Sequence, residues 1–163
     1  MPTRPFRVVL DTNVMVRGVG NSRSPSGQVL ALCDQRVVIP LISRPVLAEY
    51  RTVLNDPAIG SRYSDLSTTK VETELARLAY LGDLIRKNNV RFAFPRDPKD
   101  SKFIELAIAG GAGAIVTGDR DMLDLPKGRD EVSKRFRQRL PGIHVMRPEV
   151  FLDWIALSRL HLN

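Results

Sequence analysis

"VVLDTNVMV", residues 8–16, runs three large apolar residues directly into an aspartate, a threonine and an asparagine. With its flank, "FRVVL" (6–10) reads as a strand, and its near-continuous apolar character suits a strand covered on both faces. A carboxylate at the end of such a strand loses hydration and needs partners. Asp11 is either an isolated polar strand end or one corner of a site. The choice depends on whether other carboxylates reach the same place.

Working outward, "NSRSPSGQ" (21–28) reads as a loop and "GQVLALCDQ" (27–35) has helical spacing. "RVVIP" (36–40) reads as a second short strand ended by proline. In "SRPVLAEYRTVL" (43–54), Ser43 is an N-cap candidate and Pro45 sits in the first turn. Val46, Leu47, Tyr50, Val53 and Leu54 then form one apolar helix face. "NDPAIGSRYSD" (55–65) is a further loop, and Leu66 to Ile85 is helical with a break expected near Gly82. "VRFAFP" (90–95) alternates weakly, compatible with a short strand. "DSKFIELAIAGG" (100–111) has Asp100 as an N-cap candidate and a Gly-Gly stop. "AIVT" (114–117) and "IHV" (143–145) complete the strands, and "PEVFLDWIALSRL" (148–160) is a closing helix. Strands alternating with helices argue one α/β domain with a mainly parallel sheet.

Composition narrows the chemistry. The 163 residues suit one domain, and no stretch approaches the roughly 18 apolar residues of a membrane span. "MPTRPFRVVLD" contains no signal-peptide core, and a single cysteine, Cys33, allows no intramolecular disulfide, so a cytosolic location is expected. Cys33 with His144 and His161 cannot build the usual zinc site, so a metal here is held mainly by oxygen. The net charge of +7 points to an acidic partner, nucleic acid first. "KGRDEVSKRFRQR" (127–139) supplies +4 of it, through Lys127, Arg129, Lys134, Arg135, Arg137 and Arg139 against two acids.

Ligands in open α/β sheets bind outside the carboxyl ends of the strands. "VVLD" brings Asp11 to that edge, and "AIVTGDRD" brings Asp119 and Asp121. "RDPKD" adds Asp97 and Asp100 at a helix start, and helix N-termini face the same edge. Glu49 lies roughly 110° from the centre of its helix's apolar stripe, on the flank where an acid can reach an adjoining cleft. Each acid has a plain alternative: a cap for Asp100, turns for Asp97, Asp119 and Asp121, a solvated helix position for Glu49. Crowded together they would repel and raise one another's pKa. A divalent cation relieves that, and an all-oxygen set selects magnesium or manganese.

"VVLDTNVMV", "SRPVLAEY", "RDPKDSKFIELAIAGGAGAIVTGDRDML" and "RPEVFL" together resemble the PIN-domain family, in the family's order and over almost the whole chain. More narrowly they are similar to the branch that supplies the toxins of type II toxin–antitoxin systems. The resemblance implies a three-layer α/β/α domain spanning 1–163 and a magnesium- or manganese-dependent endoribonuclease. It implies metal ligation and catalysis by Asp11, Glu49, Asp100 and Asp119, with Asp121 assisting and Asp97 accessory. Thr12, Asn13 and Thr117 match polar positions that line the site. It further implies an RNA substrate, an antitoxin protein partner and, as members often dimerise, a homodimer. From position and charge, Arg17, Arg44 and Arg120 are assigned to phosphates. One departure stands out: Pro126 to Gly142 looks like a basic insertion. Val132, Phe136 and Leu140 recur in it every four residues, a helix seam that would leave the segment to contact RNA or to pack on a second subunit.

Three rival readings remain. A haloacid-dehalogenase-type phosphatase also places an aspartate after its first strand, but needs an acid two residues on, where this chain has Asn13. A non-catalytic RNA-binding module accounts for the basic segment and leaves the acids unexplained. A PIN nuclease that processes RNA or DNA outside any toxin pair fits the same residues.

Overall fold

In a computed structural model the chain is described over residues 5–161. The elements run β1 (Phe6–Leu10), α1 (Thr12–Gly20), α2 (Pro25–Asp34), β2 (Val38–Ile42), α3 (Arg44–Leu54), α4 (Pro57–Gly60), α5 (Thr68–Leu81) and β3 (Asp83–Leu84). They continue with a 3-10 turn (Pro98–Asp100), α6 (Ser101–Gly110), β4 (Ala114–Val116), α7 (Arg120–Asp124), a second 3-10 turn (Leu125–Lys127), α8 (Glu131–Arg139), β5 (His144–Met146) and α9 (Pro148–Leu160). The five strands form one sheet in the order β3-β2-β1-β4-β5, and every pair is parallel. The expected α/β architecture, a central parallel sheet flanked by helices, is what the chain adopts.

Strand β1 is central, and Val8, Val9 and Leu10 are each at most 1 % exposed. Successive strand residues point to opposite faces, so burial of all three requires helices on both. Leu10 pairs with Val116, and the Asp11 amide donates to the Val116 carbonyl at 3.0 Å. Strands β1 and β4 therefore end level. Chain order reverses between them, which opens a crevice at their carboxyl ends. Helix α6 leads down into β4, so its N-terminus lies at that same edge.

Several local expectations need correction. Residues 12–20, given no element from sequence, are α1: the Asp11 side chain caps it by accepting from the Thr12 amide. Helix α2 begins at Pro25, inside the expected loop, with the Ser24 side chain accepting from the Gly27 amide. Pro40 does not end β2 but lies inside it. The Ile42 carbonyl accepts from Ile85 on the β3 side, and residues two apart face the same way. The missing Pro40 donor thus faces a flank where β3, paired only at Leu41 and Ile42, has not begun. Helix α5 stops at Leu81, at the break expected near Gly82, but the residues beyond it are not helical: Asp83–Leu84 form the edge strand β3.

The 90–95 segment joins no strand, although Phe92 and Phe94 are buried. Phe92 packs edge-on against Phe136 of α8, with ring centroids 6.2 Å apart, and its amide donates to the Glu105 carboxylate. This places the 126–142 segment. Phe136 and Leu140 are buried and Val132 packs against the same core, so the seam of α8 is spent on its own domain.

Candidate metal centre

Asp11, Asp100 and Asp119 each offer a carboxylate oxygen, and these atoms lie within 4.8 Å of one another. Three elements deliver them: the end of β1, the N-terminus of α6 and the N-terminus of α7. Asp11 is only 4 % exposed. One of its oxygens accepts from the Thr12 amide at 2.7 Å; the other accepts from the Thr117 hydroxyl at 2.6 Å and from the Asn13 amide at 3.4 Å. Asn13 in turn accepts from the Gly118 amide, and Thr117 from the Asp119 amide. The polar residues after β1 and β4 are thus knitted across the sheet's carboxyl edge. Asp119 is held by accepting from the Asp121 amide at 3.0 Å. Asp100 stands at the N-cap of α6 yet makes no side-chain cap hydrogen bond.

The electrostatics are those of an uncompensated acidic group. Burial pushes Asp11 up to about 6; the Thr117 and Thr12 hydrogen bonds pull the other way, and the Asp119 and Glu49 charges add to the rise. Asp100 is raised to about 8, first by burial and then by the charge of Asp11, with Asp119 and Asp97 contributing. Two carboxylates displaced toward their neutral forms beside a third repel one another, and a hard divalent cation would offset that repulsion. The residues fit a hard divalent ion.

Glu49 and Asp121, expected among the ligands, are not in the three-acid group. Glu49 accepts from the Thr12 hydroxyl and pairs with Lys102 at 2.5 Å. Asp121 turns toward Arg96, 3.6 Å away, which also reaches Asp130 at 3.8 Å. Asp97 caps the first 3-10 turn through the Lys99 amide and lines the cleft beside Asp100. That cleft encloses about 420 Å³. Of the arginines assigned to phosphate, Arg17 lines it. Arg120 lines a separate groove of about 350 Å³ with Lys127 and Arg147. Arg44 is exposed at the start of α3 and lines neither. Lys127, Arg129, Lys134, Arg135, Arg137 and Arg139 are all exposed, but Arg137 donates to the Pro126 and Gly128 carbonyls and Arg135 lies over the Phe92 ring.

The PIN domain family model matches residues 7–121, from the first strand through the last of these acids. The chain belongs to the PIN domain family. An uncharacterized protein of Methanocaldococcus jannaschii is 27% identical to this PIN domain over 149 residues, 91% of this chain and 90% of that protein. A crystal structure of VapBC2 from Rickettsia felis, bound to a DNA fragment from their promoter, resembles it with a TM-score of 0.48 at 15% identity. That match covers 87% of this chain and 98% of the other.

Three residues of the PIN domain's site escaped the sequence reading. Lys102 neutralises Glu49, and only its place two residues after Asp100 could have hinted at it. Arg62 and Tyr63 line the cleft from the loop after α4, where no local pattern marks them. Tyr50, read as part of an apolar stripe, also donates its buried hydroxyl to the Leu10 carbonyl. That bond fixes α3, and with it Glu49, against the end of β1.

Proposed function

We propose that this PIN domain is a magnesium- or manganese-dependent endoribonuclease, and the toxin of a type II toxin–antitoxin pair. The observation that carries the nuclease reading is the convergence of Asp11, Asp100 and Asp119 within 4.8 Å at the sheet's switch point. PIN domains are in general nucleases. A divalent cation held by Asp11, Asp100 and Asp119 would supply Lewis-acid activation of water and offset charge on the phosphate, and hydrolysis would then need no covalent enzyme intermediate.

The chain's own residues do the positioning. Thr12 and Thr117 fix both oxygens of Asp11, which leaves it no rotamer freedom to lose on binding a cation. Asp100 faces the cleft with no cap bond to surrender. Glu49, held between Thr12 and Lys102, acts from behind the three acids, and Asp121 assists from its place beside Arg96. Asn13 ties the Gly118 turn to Asp11, so Asp119 keeps its place. Arg17 holds a backbone phosphate at the cleft rim. The toxin assignment rests on the sequence resemblance to that branch. It makes an antitoxin protein the expected partner, and a homodimer the expected state.

The test is incubation of purified protein with labelled single-stranded RNA, with and without manganese, beside Asp11→Asn. Metal-dependent cleavage that the variant loses is expected. Equal cleavage by both proteins would remove Asp11 from the reaction. Metal-independent RNA binding without cleavage, on a varied panel of RNAs, would favour the binding module instead.

A further inference from the structure

Three acids account for a cation, but they do not account for the rest of the cleft. Its lining also includes Arg17, Arg62 and Tyr63. Among the described residues neither arginine side chain makes a salt bridge or donates a hydrogen bond, although acids lie in the same cleft; both are exposed. A small phosphate ester would call for cations and no aromatic ring. A strand of nucleic acid calls for both, because its backbone is anionic and each base has a π-face.

Tyr63 is built as a fixed surface. It is half-buried and packs against the core from the loop between α4 and α5. Its ring lies on Gly20, the last residue of α1, so closely that a Cβ there would collide with three ring carbons. The glycine is what lets the ring sit this close to the helix end. A ring held this way has little rotamer entropy left to lose when something stacks on it.

We propose that Tyr63 is a nucleobase platform at the rim of the carboxylate cleft: a base of single-stranded RNA stacks on its ring while Arg62 and Arg17 hold the flanking phosphates. The proposal rests on the nuclease reading for its choice of RNA and adds to it the residue that receives a base. A base inside a duplex keeps its faces covered by its neighbours, so the platform selects unpaired strands.

The test uses single-stranded RNA oligonucleotides with 2-aminopurine at successive positions, titrated with the full chain in EDTA, so that no cleavage intervenes. Stacking quenches the fluorophore. Wild type and Tyr63→Phe should quench at one register. Tyr63→Leu should lose the quench and weaken binding by roughly tenfold or more. Gly20→Ala, which leaves the tyrosine but displaces its ring, should show the same loss, with thermal melts verifying that each variant is folded. No quench by wild type at any register, or an equal quench by Tyr63→Leu, overturns the platform. Manganese-dependent cleavage of the same oligonucleotides keeps the two readings apart. Cleavage without a tyrosine-dependent quench sinks the platform alone. A tyrosine-dependent quench without cleavage sustains the platform and sinks the nuclease.

Discussion

Asp100 occupies the N-cap of α6 without capping it. A carboxylate at that position normally stabilises its helix by accepting from the next turn's amides. Here it faces two other acids and is raised to about 8. Asp100→Asn should therefore reduce metal-dependent cleavage by at least a hundredfold, while leaving the melting temperature of the metal-free protein unchanged or higher. A variant with wild-type cleavage would take Asp100 out of the site. The same shifts fix the pH dependence of the metal-free fold. Asp11 and Asp100 hold protons more tightly folded than unfolded, where a carboxyl titrates near 3.8. Between that value and about 8 the folded chain carries the extra protons, so its stability falls as pH rises through this window. Thermal melts from pH 5 to pH 8.5 in EDTA should show this decline. Manganese should raise the melting temperature more at pH 8 than at pH 5.5, since it replaces the protons. An increment independent of pH would mean the ion binds elsewhere.

At the scale of elements, α8 has two faces with different fates. Phe136, Leu140 and Val132 bury one against the core. The other carries Lys134 and Arg139, exposed to solvent, with Arg135 over the Phe92 ring. This helix lies beyond residue 121, where the family match ends. If its outer face tracks RNA backbone, the charge reversal Lys134→Glu with Arg139→Glu should weaken RNA binding across sequences. The log–log salt slope should also flatten by about one unit per lost contact. Arg137 is predicted to behave differently. It donates to the Pro126 and Gly128 carbonyls, so Arg137→Ala should lower stability more than it changes the salt slope. Urea melts beside binding isotherms separate the two effects. In α3, Ser43 caps the helix that carries Glu49, and Ser43→Ala should cost about 1 kcal/mol in urea unfolding.

Across the whole molecule, the parallel sheet and the basic segment share one core. Phe136 touches Phe92, whose segment runs on to Asp97 and Asp100, so packing under α8 supports the loop that delivers two cleft acids. Phe136→Ala should cost about 3–5 kcal/mol and loosen that loop, seen as faster amide exchange at 92–97. Unchanged exchange there would show that the loop is held by α6 alone.

What the sequence determined by itself was set by contacts between near neighbours. The apolar runs at 6–10 and 114–117 identified strands, the Ser43 cap and apolar stripe gave α3, and Gly111 in the left-handed conformation, at φ 63°, closes α6 as the Gly-Gly stop predicted. The acid-bearing strand ends were legible for the same reason. Where local signals compete, the reading failed. Valines and glycines hid α1, and a proline obscured a strand whose missing donor faces the flank where β3 has not yet begun. Phe92 looks like a strand residue because it is buried, but what packs against it is Phe136, on a helix about 40 residues downstream. Only the tertiary structure separated the six acids into three that converge, Asp97 that lines the cleft beside them, and Glu49 and Asp121 that pair elsewhere. Nothing near Glu49 in sequence announces Lys102, 53 residues on, and nothing near Asp11 announces Thr117, 106 residues away. Those partners are chosen by strand order. Parallel β1 and β4 must end side by side, and whatever follows each of them meets at that edge.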